Sequence, residues 1–100
     1  MITIPTEFEL GGRSWSVELV DTIPGETNTT YGLCDSHEAT IFIKAGMSND
    51  ATQHTFYHEL SHAICFTLGW KALNKNEEKI DALGGVFYQF LKKKKGRLLP

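Results

Sequence analysis

The stretch NDATQHTFYHELSHAICFTLG, Asn49 to Gly69, decides how the rest of the chain is read. Its apolar residues Phe56, Leu60, Ala63, Ile64 and Leu68 recur at i, i+4, i+7, i+8 and i+12, the spacing of one helix face. Ser48, Asn49 and Asp50 are all good N-caps, because a short side-chain oxygen can accept from an unpaired N–H of the first turn. Gly69 is a natural stop, since glycine enters the left-handed region without steric cost. Inside this helix lies His58-Glu59-Leu60-Ser61-His62, an H-E-x-x-H motif. Helical residues four apart share a face, with Cβ atoms about 5–6 Å apart, so two imidazoles can bind one divalent ion from the same side. Zinc accepts histidine nitrogen at about 2.0–2.1 Å and prefers four tetrahedral positions. Glu59, next to the first ligand, can reach water in an open position and act as its general base. With four His and eight Glu in 100 residues, the motif arises by chance roughly one time in a hundred, so it carries weight.

Outward from this helix, Glu38 to Lys44 reads as the best strand of the chain, with β-favouring Ile41, Phe42 and Ile43. Tyr31 to Cys34 is a shorter strand, separated from it by the turn Asp35-Ser36-His37. Asp21 to Thr30, rich in Thr, Gly, Pro and Asn, is a loop. Phe8 to Val20 alternates around Gly11-Gly12 and reads as a hairpin. Downstream, a second helix starts near Asn74 or Asn76, carries the stripe Ile80, Leu83, Phe87, Phe90 and Leu91, and ends in a lysine run. Gly84-Gly85 lies inside it at a cost of about 1 kcal/mol per glycine, which makes sense where a neighbouring backbone must come close. Strands followed by helices argue for an α+β fold. The expected architecture is one domain over residues 1–100, a small N-terminal antiparallel sheet followed by two packed helices.

Composition sets the limits. Apolar residues are 41% and charged residues 22%, ordinary globular usage that excludes wholesale disorder. A chain of 100 residues buries a thin core, and a metal is a common staple at this size. Cys34 and Cys65 cannot form a disulfide framework and suit a reducing compartment. No apolar run approaches the roughly 18 residues of a membrane span, and the first thirty residues lack a signal peptide's basic start and apolar stretch. The expectation is a cytoplasmic protein with no membrane partner. Twelve acidic and five basic side chains give the first 91 residues a charge of −7, a poor nucleic-acid surface. The other five basic residues fall in Lys92–Arg97, where they complement a helix C-terminus or touch an acidic partner.

A metal site needs a third protein ligand. His54 continues the spacing of His58 and His62, but it lies about 12 Å from His62 along the helix axis, too far to share an ion easily. A solvated or supporting role suits it better. Carboxylates at the start of the second helix, Glu77, Glu78 and Asp81, are the better candidates, although acids there also complement the helix dipole.

His58-Glu59-Leu60-Ser61-His62, followed by Glu77-Glu78-Lys79-Ile80-Asp81-Ala82-Leu83-Gly84, resembles the ImmA/IrrE-like metallopeptidases, minimal zincins of the gluzincin type found in bacteria and phages. The likeness covers residues 38–91, and the chain's small size is similar to phage- and prophage-encoded versions. In that family the second segment reads approximately E-x-x-A-N-x-F-A and its leading Glu is the third zinc ligand. Glu77 falls on that Glu and Asp81 on the Asn, whereas Ile80, Leu83 and Gly84 depart from the pattern and leave Glu78 as an alternative. The resemblance implies zinc held by His58, His62 and Glu77, Glu59 as general base, Asp81 supporting a ligand imidazole, and a protein or peptide substrate. It also implies that the strand Glu38–Lys44 is the edge along which extended substrate pairs. Tyr31, Tyr57 and Tyr88 are all candidate donors to a developing oxyanion, and the sequence selects none. Cys65, Trp15 and Trp70 read as packing or cap residues. The competing expectation is a metal-stabilised binding or regulatory module without turnover.

Overall fold

The computed structural model describes residues 4–25 and 30–93. Strands β1 (Glu7–Leu10), β2 (Arg13–Val20), β3 (Gly32–Asp35) and β4 (Thr40–Lys44) precede helices α1 (Asn49–Leu68), α2 (Lys71–Asn74) and α3 (Glu77–Lys93). The fold is α+β, as expected. Residues 26–29 of the expected loop, and Lys94–Arg97 of the basic tail, lie outside the described residues.

The hairpin forms where it was read. β1 and β2 pair antiparallel across Gly11 and Gly12, whose φ of 61° and 78° supply the two positive values a tight two-residue turn requires. The sheet as a whole is mixed, not antiparallel. Its order is β1-β2-β4-β3, and β2 pairs with β4 in parallel, Val17 opposite Ile41 and Leu19 opposite Ile43. The alternation of side chains along a strand reports which face is buried but not which neighbour it finds, so this pairing was not visible beforehand. β3 then folds back antiparallel on β4 through a turn at residues 36–39, and Arg13 braces that turn by donating to the carbonyls of Ser36 and His37. The placement reverses one expectation: β4 is an interior strand with Ile41 and Ile43 fully buried, and β3 is the edge.

Ile41 and Ile43 form the core with Trp15, Phe56 and Ala63. Phe8 stacks on Trp15 and meets Phe56 edge-on. Burying aromatic and branched side chains of this size contributes about 1.5–3 kcal/mol each. Cys65 is buried as a small apolar residue, and Trp70 instead sits half-exposed at the N-terminus of α2. Ser48 caps α1 by accepting from Ala51 N, and Gly69 ends it in the left-handed region at φ 74°. The far end of the anticipated stripe does not reach the core, since Leu68 is exposed.

Helix α1 is covered on a second side by α3. A Cβ placed on Gly84 would stand 2.8 Å from both the Cα and the N of His58. Only a residue without a side chain lets the two backbones meet there. Gly85 is not so constrained; a Cβ there meets only His54 Nε2 at 3.8 Å. The sequence predicts two helices after the sheet; with the short α2 there are three among the described residues. Asn76 caps α3 by accepting from Lys79 N. Among the described residues no helix is long and apolar enough to cross a membrane.

Candidate metal centre

The close crossing at Gly84 brings the first turn of α3 over the motif turn of α1. His58 and His62 lie one turn apart with ring centres separated by 5.3 Å. Both Nε2 atoms face the same carboxylate, His58 Nε2 at 3.2 Å from Glu77 Oε1 and His62 Nε2 at 2.9 Å from Glu77 Oε2. The second nitrogen of each ring is also met by oxygen. His58 Nδ1 lies 3.1 Å from Asp81 Oδ1, and His62 Nδ1 lies 2.6 Å from Asn74 Oδ1.

Oxygen at all four ring nitrogens has a direct electrostatic consequence. A neutral imidazole has one donor and one acceptor nitrogen, so each ring would set a lone pair against an oxygen lone pair. Protonating both rings removes that clash but places two cations on adjacent turns. One divalent cation among the two Nε2 atoms and the Glu77 carboxylate satisfies every group, with each Nδ1–H donating to Asp81 or Asn74. In a tetrahedral zinc site, bonds of about 2.0–2.1 Å set ligand atoms about 3.3 Å apart, close to the spacing present. Ligand atoms of His58, His62 and Glu77 all lie within 4.8 Å of one another, and the cluster could hold a metal ion. Support of a ligand histidine through its second nitrogen is the usual arrangement at such sites.

Of the acids left open by the sequence, Glu77 joins the cluster and Asp81 backs His58; Glu78 takes part in neither. His54 stays outside, exposed and set against the ring of Tyr88. Asn74 was missed as a site residue. It looked like a helix cap, and only the turn of α2 carries it to His62.

Glu59 is buried at 8% exposure, beside His58 and Glu77 in the lining of the site. Burial raises its carboxyl above the usual carboxylate range; the two imidazoles lower it, Glu77 raises it, and the Cys34 backbone N–H lowers it. Gly32 of β3 makes room for this acid. A Cβ there would come within 2.6 Å of Thr55 Cγ2 and 3.1 Å of Glu59 Oε2. The edge strand therefore runs directly over the motif helix. Two openings flank the centre and share Gly32, His58, Glu59 and Glu77. One, of about 340 Å³, extends towards Cys34 and Asn74; the other, of about 300 Å³, extends towards Tyr31 and His54. Cys34 itself is a half-buried thiol pushed up to about 12, chiefly by desolvation, against a lowering contact from Ser36 and with the Glu59 charge adding to the rise.

The tyrosines separate. Tyr88 donates its hydroxyl to Asp50, and Tyr57 packs between Phe56 and Tyr88. Tyr31 lines the second opening; its backbone carbonyl accepts from Lys44 N, and its ring meets the Lys44 ammonium.

No protein-family model matches the chain, and no curated protein or solved structure matches it.

Proposed function

We propose that the protein is a zinc-dependent peptidase. The observation that carries this reading is the pairing of a three-ligand cluster with a buried acid, Glu59, on the same helical turn and in the same two openings. His58, His62 and Glu77 would hold the ion, which when bound supplies Lewis acidity towards a water and a carbonyl oxygen. Asp81 and Asn74 fix the ligand rings by accepting from their Nδ1–H groups. Glu59 accepts the proton of the attacking water and later returns it to the leaving amine. Substrate lies in extended form along β3, where the main chain offers unpaired groups. The resemblance to ImmA/IrrE-like metallopeptidases supports the same assignment of roles.

The ligands also join α1 to α3, which favours a structural ion as the competing reading. Glu59→Gln separates the two. It keeps size and removes the base, so a peptidase should retain zinc and lose hydrolysis by at least about 100-fold. Unchanged hydrolysis in that variant, or none in the zinc-loaded wild type, would remove the peptidase reading.

A further inference from the structure

Helix α3 has a second face that the metal centre does not use. Glu77, Asp81, Gly84 and Tyr88 recur at i, i+4, i+7 and i+11, and each meets α1: Glu77 and Asp81 at the His58 ring, Gly84 at the His58 backbone and Tyr88 at Asp50. A step of two residues is about 200° around a helix. Residues 79, 83, 86, 90 and 93 follow that step, so Lys79, Leu83, Val86, Phe90 and Lys93 hold positions on the side away from α1. Val86 is 63% exposed and Phe90 67%, the two most exposed large apolar side chains among the described residues. The solvent side of such a helix ordinarily carries polar groups, so bare apolar side chains one turn apart mark a contact surface. Cationic residues close both ends of this stripe, and the sequence continues Lys94-Lys95-Gly96-Arg97, outside the described residues. Lys92 does not belong to it, because its ammonium pairs with Asp50 at 3.6 Å and lies over the Tyr88 ring. Apolar groups between lysines fit an anionic lipid surface: the apolar side chains enter the acyl boundary and the lysines reach the headgroups. A bound peptide needs a groove, whereas this ridge is the convex outside of a helix; a nucleic-acid phosphate backbone gives Val86 and Phe90 nothing to enter. The first 91 residues, at −7, are repelled by the same surface, which turns α3 towards the lipid and the metal side of the helix away from it. That no described helix could cross a membrane bears on insertion, not on contact with a bilayer surface.

We propose that the outer face of α3, with the basic run that follows it, binds the surface of an anionic bilayer. The inference stands apart from the peptidase reading and needs no metal. Co-sedimentation of the full chain with vesicles tests it, using phosphatidylcholine alone and phosphatidylcholine with about 30% phosphatidylglycerol. At about 0.1 M salt, half of the protein should bind at about 1 mM accessible lipid in the anionic vesicles. Binding should be at least about 10-fold weaker to neutral vesicles, and at least about 10-fold weaker to anionic ones at about 0.5 M salt. Phe90→Ser should weaken binding by about 10-fold, and the double variant Lys94→Ser, Lys95→Ser by about 20-fold. Because Phe90 is mostly exposed, Phe90→Ser should melt as wild type does; Val86→Ser, on the same face, repeats the test if it does not. Three results overturn the inference: no sedimentation with anionic vesicles, equal binding to neutral and anionic vesicles, or wild-type binding by both Phe90→Ser and Val86→Ser, which would leave only a basic run open to any polyanion. Tighter binding to duplex DNA or to polyglutamate than to anionic vesicles in the same buffer also overturns it, by assigning the surface to another partner.

Discussion

Adjacent glycines in α3 should respond to alanine with opposite signs. Replacing either one by alanine gains about 1 kcal/mol of helix propensity. At Gly85 nothing opposes the gain, since the new methyl meets only the end of the His54 side chain at 3.8 Å. At Gly84 the methyl would lie 2.8 Å from two backbone atoms of His58 and 3.1 Å from the carbonyl carbon of Tyr57. Carbon atoms pack comfortably at about 3.5–4.0 Å, so α3 must retreat by roughly 0.7 Å or more. Overpacking of this kind costs about 1–3 kcal/mol, and a backbone neighbour cannot rotate aside, which places the cost in the upper part of that range. The net expectation is destabilisation of about 1–2 kcal/mol for Gly84→Ala and stabilisation of about 1 kcal/mol for Gly85→Ala. In a domain this small each kcal/mol moves Tm by about 4–8 °C. Thermal melts of the metal-free proteins followed by circular dichroism would show the split. Retreat of α3 also carries Glu77 away from the histidines, so Gly84→Ala should bind zinc more weakly. A Gly84→Ala protein that melts at or above wild type, with zinc affinity unchanged, would refute the close-approach explanation of that glycine.

Other consequences follow from single contacts. Asp81→Asn removes the charge behind His58 and should weaken zinc binding by about 10-fold, measured by competition with a chelator; an unchanged affinity would show that the 3.1 Å contact does no supporting work. Ser48→Ala removes the cap on α1 and should cost about 1 kcal/mol in urea unfolding, with an unchanged midpoint as the contrary result. The Cys34 thiol, raised from 9.0 to about 12 by burial, should react with iodoacetamide at pH 8 about 1,000-fold more slowly than an ordinary cysteine while the metal-free protein stays folded. Because the folded value lies above the unfolded one, the stability linked to that proton is present below pH 9 and is lost as pH rises through about 12. Labelling at the rate of a free thiol would contradict the burial.

What the sequence made legible follows from periodicity and covalent spacing. The H-E-x-x-H turn could be read because four residues of helix fix the relation of His58 to His62 whatever surrounds them. The hairpin was legible because Gly11-Gly12 suits few other backbone paths. The paired glycines of α3 hinted at a close contact, and the structure assigns it to Gly84 but not to Gly85. Three features were beyond local reading. The parallel pairing of β2 with β4, and with it the edge position of β3, depends on the crossover between strands of similar pattern. Glu77 and Glu78 are equally acidic neighbours about 100° apart around their helix, so only the crossing of α3 over α1 selects between them. Asn74 could not be found because its role is set by the short α2 turn, whose residues carry no buried anchor to signal it. A buried Thr52, Ser61 and Glu59 on α1 likewise defeat a reading in which the buried face is the apolar one.

The most direct measurement is a zinc titration of the metal-free full chain and of four single variants. One equivalent should bind to the wild type and to Glu78→Ala, whereas His58→Ala, His62→Ala and Glu77→Ala should each lose stoichiometric binding. Failure of the wild type to take up an ion, or loss of binding in Glu78→Ala with Glu77→Ala unaffected, would contradict the centre described above.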